Sequence, residues 1–382
     1  MPITIELTAL ALAPKLHSGE ITVTQALDAC YAAIEAGGQA NFAALCKEQA
    51  YARAAEVQAR LDAGEVRSPL AGVPVAADDL ICTKGVATGA GSKALEGFVP
   101  PYNAAVIEKI DAADMILLGK ARVSEFGMCG DVNGAAAAVA AGEAPIALGC
   151  DTGGALRRSA ARCGVAALRP TYGAVSRFGL VAYASSMDQI GPVARDAADC
   201  AALFDIIRGK DGRDSMSVEA QGREPAGDLK IGELNLPIAE YALPAYEILA
   251  CAEASSNLAR FDGIKYGHVS EQAKNLRETY VLSRSEGLGP EAKRRVMLGN
   301  FVLGAGQYEA YYVKAMRVRR LMQQALLEAV EIYDALWAPV NDESILVLAS
   351  LAGLPALALP GGRQLIGRAF EEGTLLGAVH SL

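Results

Sequence analysis

A chain of 382 residues with 52% hydrophobic and 21% charged residues and a mean hydropathy of +0.22 has enough apolar material to bury a large core. A formal net charge of −9 excludes holding nucleic acid by phosphate neutralisation, so no direct nucleic-acid contact is expected. Eight cysteines scattered at positions 30, 46, 82, 129, 150, 163, 200 and 251, with no CxxC pair, exclude a disulfide scaffold or zinc framework, and no apolar run reaches membrane-spanning length.

In chain order, residues 1–68 read as an N-terminal helical arm, with ELTALALAPKLHSG, a Thr-led helix ending at Gly37-Gly38, and the alanine-rich EQAYARAAEVQARLDAGEV. Residues 69–382 read as the core. From Pro69 to Asp196 the apolar runs VPVAA, MILLGKA, PIALG and VAALR alternate with the helical stretches NAAVIEKIDAAD, AAAAVAA and ALRRSAARC. This alternation predicts an α/β fold with a mainly parallel or mixed sheet covered by helices on both faces. A polar, Gly-rich connector around the short KIGE strand follows a helix over 197–208. Residues 244–336 then read as consecutive helices, rich in basic and aromatic residues from Glu291 to Arg320.

The densest stretch is Pro145 to Asp196, which reads strand, glycine turn, helix, strand and loop without interruption. Asp151-Thr152-Gly153-Gly154 supplies the tight turn into the helix behind it. Unpaired N–H groups at that helix start, with glycines that admit close approach, predict that Thr152, Gly153 and Gly154 can hold an anion or a developing oxyanion.

Those residues carry a resemblance. GCDTGGALR followed by CGVAALRPTYGAVSRFGLVAYASSMDQIGPVARD resembles the core of the amidase signature family. Together with LAGVPVAADDLICTKG, residues 291–322 and LAGLPALALP, the order of motifs is similar to that of the glutaminase subunits of tRNA-dependent amidotransferases. The scattered cysteines read as a reducing-compartment pattern and predict a cytoplasmic protein; no cofactor and no metal are expected, and the resemblance implies the B and C subunits of such an amidotransferase as partners. It also implies several internal deletions, after Met128, after the KIGE strand, after WAPV and within GGRQLIGR.

The family cleaves amides with a Ser–cis-Ser–Lys triad, and the resemblance places none of the three here. The nucleophile position after Gly153-Gly154 is Ala155, and a methyl group cannot attack a carbonyl. The lysine position is Asp78. The Ser/Gly-rich loop that bears the second serine is missing near Asp131, and no serine lies between Ser124 and Ser159. The expectation is a catalytically degenerate homologue with a partner-binding role. A working glutaminase subunit that supplies ammonia for Gln-tRNA(Gln) formation and a decaying copy without function remain the alternatives.

Other candidates carry less. Ser159 stands one helical turn, about 6 Å, beyond Ala155 and so away from the N–H donors. Asp78, Asp79, Asp131 and Asp151 as a metal set is outweighed by a structural reading of each. His17, His268 and His380 lie outside every motif. The resemblance makes Arg294 or Arg295 a remnant of a site for the substrate's α-carboxylate and matches Glu343 to the acidic partner of its amino group. A basic helix face paired with acidic neighbours explains the two arginines equally well.

Overall fold

The computed structural model describes residues 7–129, 133–219 and 229–379. Ten strands form one sheet: β1 (Phe42–Leu45), β2 (Pro74–Asp78), β3 (Ile116–Ala121), β4 (Ile146–Asp151), β5 (Ala166–Arg169), β6 (Gln189–Ala194), β7 (Ile231–Glu233), β8 (Ala335–Pro339), β9 (Ala356–Leu359) and β10 (Arg363–Gly367). Their order is β1-β3-β2-β4-β6-β5-β9-β10-β8-β7. β2 runs parallel to β3 and β4, and β7 parallel to β8, while the other neighbours are antiparallel. The sheet is therefore mixed, as expected, and helices flank it.

Burial explains why the central strands read as unbroken apolar runs. Every residue of β2, β4, β5 and β6 is buried, which requires helices on both sides and leaves no polar face to produce an alternating pattern. The alanine helix Gly134–Ala140 packs on β2, β3, β4 and β6 and against the helix Ala155–Cys163. Its small side chains bring the helix close to the strands beneath.

The stretch expected as a helical arm does more than supply helices. Within it Phe42–Leu45 adds β1 as an edge strand antiparallel to β3. The helix Ala9–His17 is pinned by the buried Asp199, which accepts the N–H groups of Ala9 at 2.6 Å and Leu10 at 2.9 Å. A carboxylate on two first-turn N–H groups satisfies donors that otherwise have no intrahelical partner. Thr22 and Gln25 close the next helix start with a reciprocal capping box.

Three parallel strands end at one edge of the sheet, because β3, β2 and β4 are neighbours with aligned register. Lys120, Asp78 and Asp151 lie at or next to their C-terminal ends. That edge is where an α/β sheet exposes its ligand crevice, and the helix Ala155–Cys163 begins immediately beyond it.

Over this edge lies a helical layer made of Ala242–Asn257, Leu276–Gly287, Pro290–Leu303 and Lys314–Ile332. The first and third of these touch so closely that a Cβ at Gly299 would lie 2.0 Å from the Cys251 carbonyl oxygen. Ser255 donates to the Asn300 side-chain oxygen across the same seam. Gly299→Val should therefore force the pair apart and cost about 2–4 kcal/mol. Urea unfolding followed by circular dichroism measures this, and an unchanged midpoint would refute the close-packing account.

Candidate functional site

The turn after β4 is fixed by the buried carboxylate of Asp151. Arg157 Nε donates to its Oδ2 at 3.0 Å, Arg169 Nη1 to its Oδ1 at 3.0 Å, and the Gly154 N–H to Oδ1 at 3.0 Å. Burial alone would raise the pKa of this group, but the two guanidinium ions prevail and hold it at about 2. Both arginines are themselves buried and tie the turn outwards. Arg157 donates to the Leu346 carbonyl, Gln364 and Ser350, and Arg169 donates to the Met187 carbonyl. Removing the carboxylate would leave two buried cations against one another, a loss of about 3–5 kcal/mol.

Gly154 occupies the left-handed region at φ +95°, which suits glycine and delivers the chain into the helix that begins at Ala155. The helix start thus carries a methyl group at its first position. Thr152 donates its hydroxyl to Asp188 at 2.7 Å, and Asp188 also accepts the Tyr183 and Ala184 N–H groups. Of the turn expected to hold an anion, Thr152 therefore spends its hydroxyl, and Gly154 its N–H, on carboxylates of the chain itself. A Cβ at Gly153 would lie 2.3 Å from the Tyr246 hydroxyl, and one at Gly154 would lie 2.3 Å from Leu346 Cγ. These two side chains pack directly over the turn.

Asp78 ends β2 fully buried. Its Oδ2 accepts the Cys150 N–H at 2.8 Å and the Asn133 amide at 3.3 Å, while its Oδ1 has no hydrogen-bond partner. Burial pushes this carboxyl up to about 7, against the lowering effect of those two donors and of Lys120. Asp79 turns the other way and accepts the Gly89 N–H. Asp131 lies outside the described residues, and among the described residues no three His, Cys, Asp or Glu side chains gather as a metal site.

Sequence reasoning passed over Lys120. Its ammonium is completely buried beneath the loop after β2, where it donates to the Ile81 carbonyl and to Thr83 Oγ1. Burial lowers its pKa, opposed by Asp79 and nearby thiols. A lone lysine inside the apolar run MILLGKA is the signal that would have found it. Tyr183 and Tyr246 were also missed, since aromatic residues within apolar stretches read as plain core.

The remaining candidates separate. Arg295 is buried, donates to the Tyr183 hydroxyl and pairs with Glu291 at 2.7 Å; Tyr183 in turn neighbours Tyr246 above Gly153. Arg294 is exposed and pairs with Glu291, while Glu343 pairs with Arg158 at 2.6 Å. Among the described residues no hydrogen bond or ion pair joins Glu343 to either arginine. Ser159 lines a separate small cavity of about 210 Å³ with Asn41, Arg122 and Asn133. His17 meets the Ala71 carbonyl, His268 pairs with Glu286, and His380 lies outside the described residues.

The raised pKa of Asp78 gives a signed expectation. A carboxyl at about 7 when folded and about 4 when unfolded favours folding while it is protonated; its contribution is complete below about pH 4 and is lost as pH rises to about 7. Asp78→Asn should leave stability nearly unchanged near pH 4 and raise it above neutrality by roughly 2–4 kcal/mol. Denaturant titrations at both pH values check this, and an alkaline loss of stability in the variant would contradict it.

The Amidase family model matches residues 25–133, 129–232 and 223–354. The A subunit of glutamyl-tRNA(Gln) amidotransferase from Agathobacter rectalis is 39% identical over 469 aligned positions, covering 99% of this chain and 93% of the relative. Its counterpart from Desulforamulus reducens is 40% identical over 468, with 99% and 96% covered. An alignment of 469 positions against a chain of 382 residues leaves at least 87 positions, the difference, without a counterpart here. The crystal structure of the A subunit from Thermotoga maritima superposes with a TM-score of 0.64 at 31% identity, over 81% of this chain and 82% of that one. Peptide amidase from Stenotrophomonas maltophilia gives 0.79 at 25% identity, over 97% and 95%. A sheet edge carrying the DTGG turn, a family model spanning most of the chain, and relatives aligned from end to end have one conclusion: the chain belongs to the amidase family.

Proposed function

We propose that this protein is an amidase-family member of the A-subunit type that has lost amide hydrolysis and acts by binding the B and C subunits of a tRNA-dependent amidotransferase. The observation that carries the reading is the helix start at Ala155, where a methyl group stands at the position from which a hydroxyl would attack. Asp78, in the place the family gives to a lysine, is a buried carboxyl whose pKa burial raises to about 7, and a carboxyl offers no amine base. Lys120 is spent on the Ile81 carbonyl and Thr83, and no serine hydroxyl bonds to it among the described residues.

The binding half of the proposal draws support from the outer helices. Met297 is 71% exposed, and Phe301, Tyr308, Tyr311, Met316 and Leu321 are exposed on the same run of helices. Large apolar and aromatic side chains displayed together fit an interface better than a solvated surface. The end-to-end similarity to amidotransferase A subunits supports the choice of partners.

The purified protein should release no ammonia from glutamine above the rate of buffer alone. Ala155→Ser should not restore release, because triad members act as a unit and one member returned without its relay gains little. Tagged protein expressed with B and C subunits should recover both. Glutamine turnover at the rate of an intact enzyme would overturn the loss of hydrolysis, and recovery of neither partner would overturn the binding role.

A further inference from the structure

A cavity of about 920 Å³ sits between the loop after β2, the segment 94–102, residues 180–182 and the chain beyond the helix Ala242–Asn257. It shares no lining residue with Asp151–Ala155, Tyr246, Leu346 or Arg295. Its size lies in the range of small-molecule pockets, roughly 300–1,000 Å³.

The walls are aromatic and braced. Tyr102 packs on Phe178 with ring centroids 5.6 Å apart, and Phe261 stacks on Phe126 at 5.5 Å. Both rings are therefore held in place before any ligand arrives, so little rotamer entropy is lost on binding. Tyr266 is exposed at the mouth. Ala94, Leu95, Leu180 and Val181 complete an apolar floor.

Two cations stand at this wall, in a chain whose net charge is −9. Arg260 donates its Nε to the Asn257 carbonyl at 2.9 Å, which orients the guanidinium; among the described residues nothing bonds to its two terminal nitrogens. Lys265 lies over the Tyr266 ring at 5.8 Å and has no carboxylate partner among the described residues. The nearby Asp262 is engaged by the Ile264 and Lys265 N–H groups, which leaves Glu96 as the acid lining the cavity. A guanidinium fork without a partner, beside stacked rings, matches a planar anion.

We infer that this cavity is a second binding site, for a small aromatic molecule that carries an anionic group. The ring packs among Tyr102, Phe261 and Tyr266, and the anion meets Arg260 with Lys265 beside it. A carboxylate or a phosphate supplies the same charge, so the two sources are separated by experiment. Binding is read without any catalytic step, which makes this inference independent of whether the protein hydrolyses amides.

Calorimetric titration of the full chain tests it with two probes, naphthoate and adenosine monophosphate, and with naphthylmethanol as the uncharged control. At least one acid should bind at sub-millimolar concentration, and the one that does identifies the anion class. The control should bind about tenfold more weakly or worse, and Arg260→Gln and Tyr266→Ala should each weaken the acid by about tenfold. Circular dichroism confirms that these surface variants are folded. Failure of both acids to bind at millimolar concentration, or equal binding by the control or by folded Arg260→Gln, would overturn the inference.

Discussion

One buried carboxylate organises the edge of the sheet. Asp151 sits between Arg157 and Arg169, and through those two guanidinium groups it joins the end of β4 to β10, to the segment around Leu346 and to the loop before β6. Burying three charges is costly in itself, and the arrangement holds because nearly every donor has a partner. The Gly154 turn and the start of the helix at Ala155 depend on it. The geometry of an amidase turn therefore persists for structural reasons whether or not a nucleophile follows it.

That separation between scaffold and chemistry runs through the site. Asp151 accepts the Gly154 N–H, and Thr152 donates to Asp188, which also accepts the Tyr183 N–H, so the chain's own carboxylates hold the turn in shape. Asp78 is different: one of its oxygens has no partner, and burial raises its pKa. An acid placed there destabilises the folded state near neutrality. Tyr246 and Leu346 then cover Gly153 and Gly154 with the chain's own side chains.

The alternation of strands and helices from β2 to β5 was legible in the sequence because those strands are apolar and the helices between them are bounded by glycines and caps, whereas β6, QIGPVA, fell in a stretch read as loop. Within 244–336 the individual helices were legible, although the expected run is interrupted by the irregular residues 261–275 and ends where β8 begins at Ala335. β1 was not, because four residues, FAAL, at the edge of a sheet carry too little pattern to stand out from the helices around them. In the site, Ala155 and Asp78 could be placed from the motif text alone. Lys120, Arg157 and Arg169 could not, since a charged residue in an apolar run declares itself only when its buried partner is known. Arg295 and Glu343 were grouped by resemblance; space separates them, with Arg295 on Tyr183 and Glu343 on Arg158.

The central claim is that the amidase scaffold stands here without an activated nucleophile. Incubation with a reactive fluorophosphonate, which forms a covalent bond only with an activated hydroxyl, followed by intact-protein mass measurement, addresses it directly. The account predicts an unmodified mass under conditions in which an active amidase is fully labelled. A stoichiometric adduct, mapped by peptide analysis to any serine or threonine near the turn, would contradict it and would identify the nucleophile.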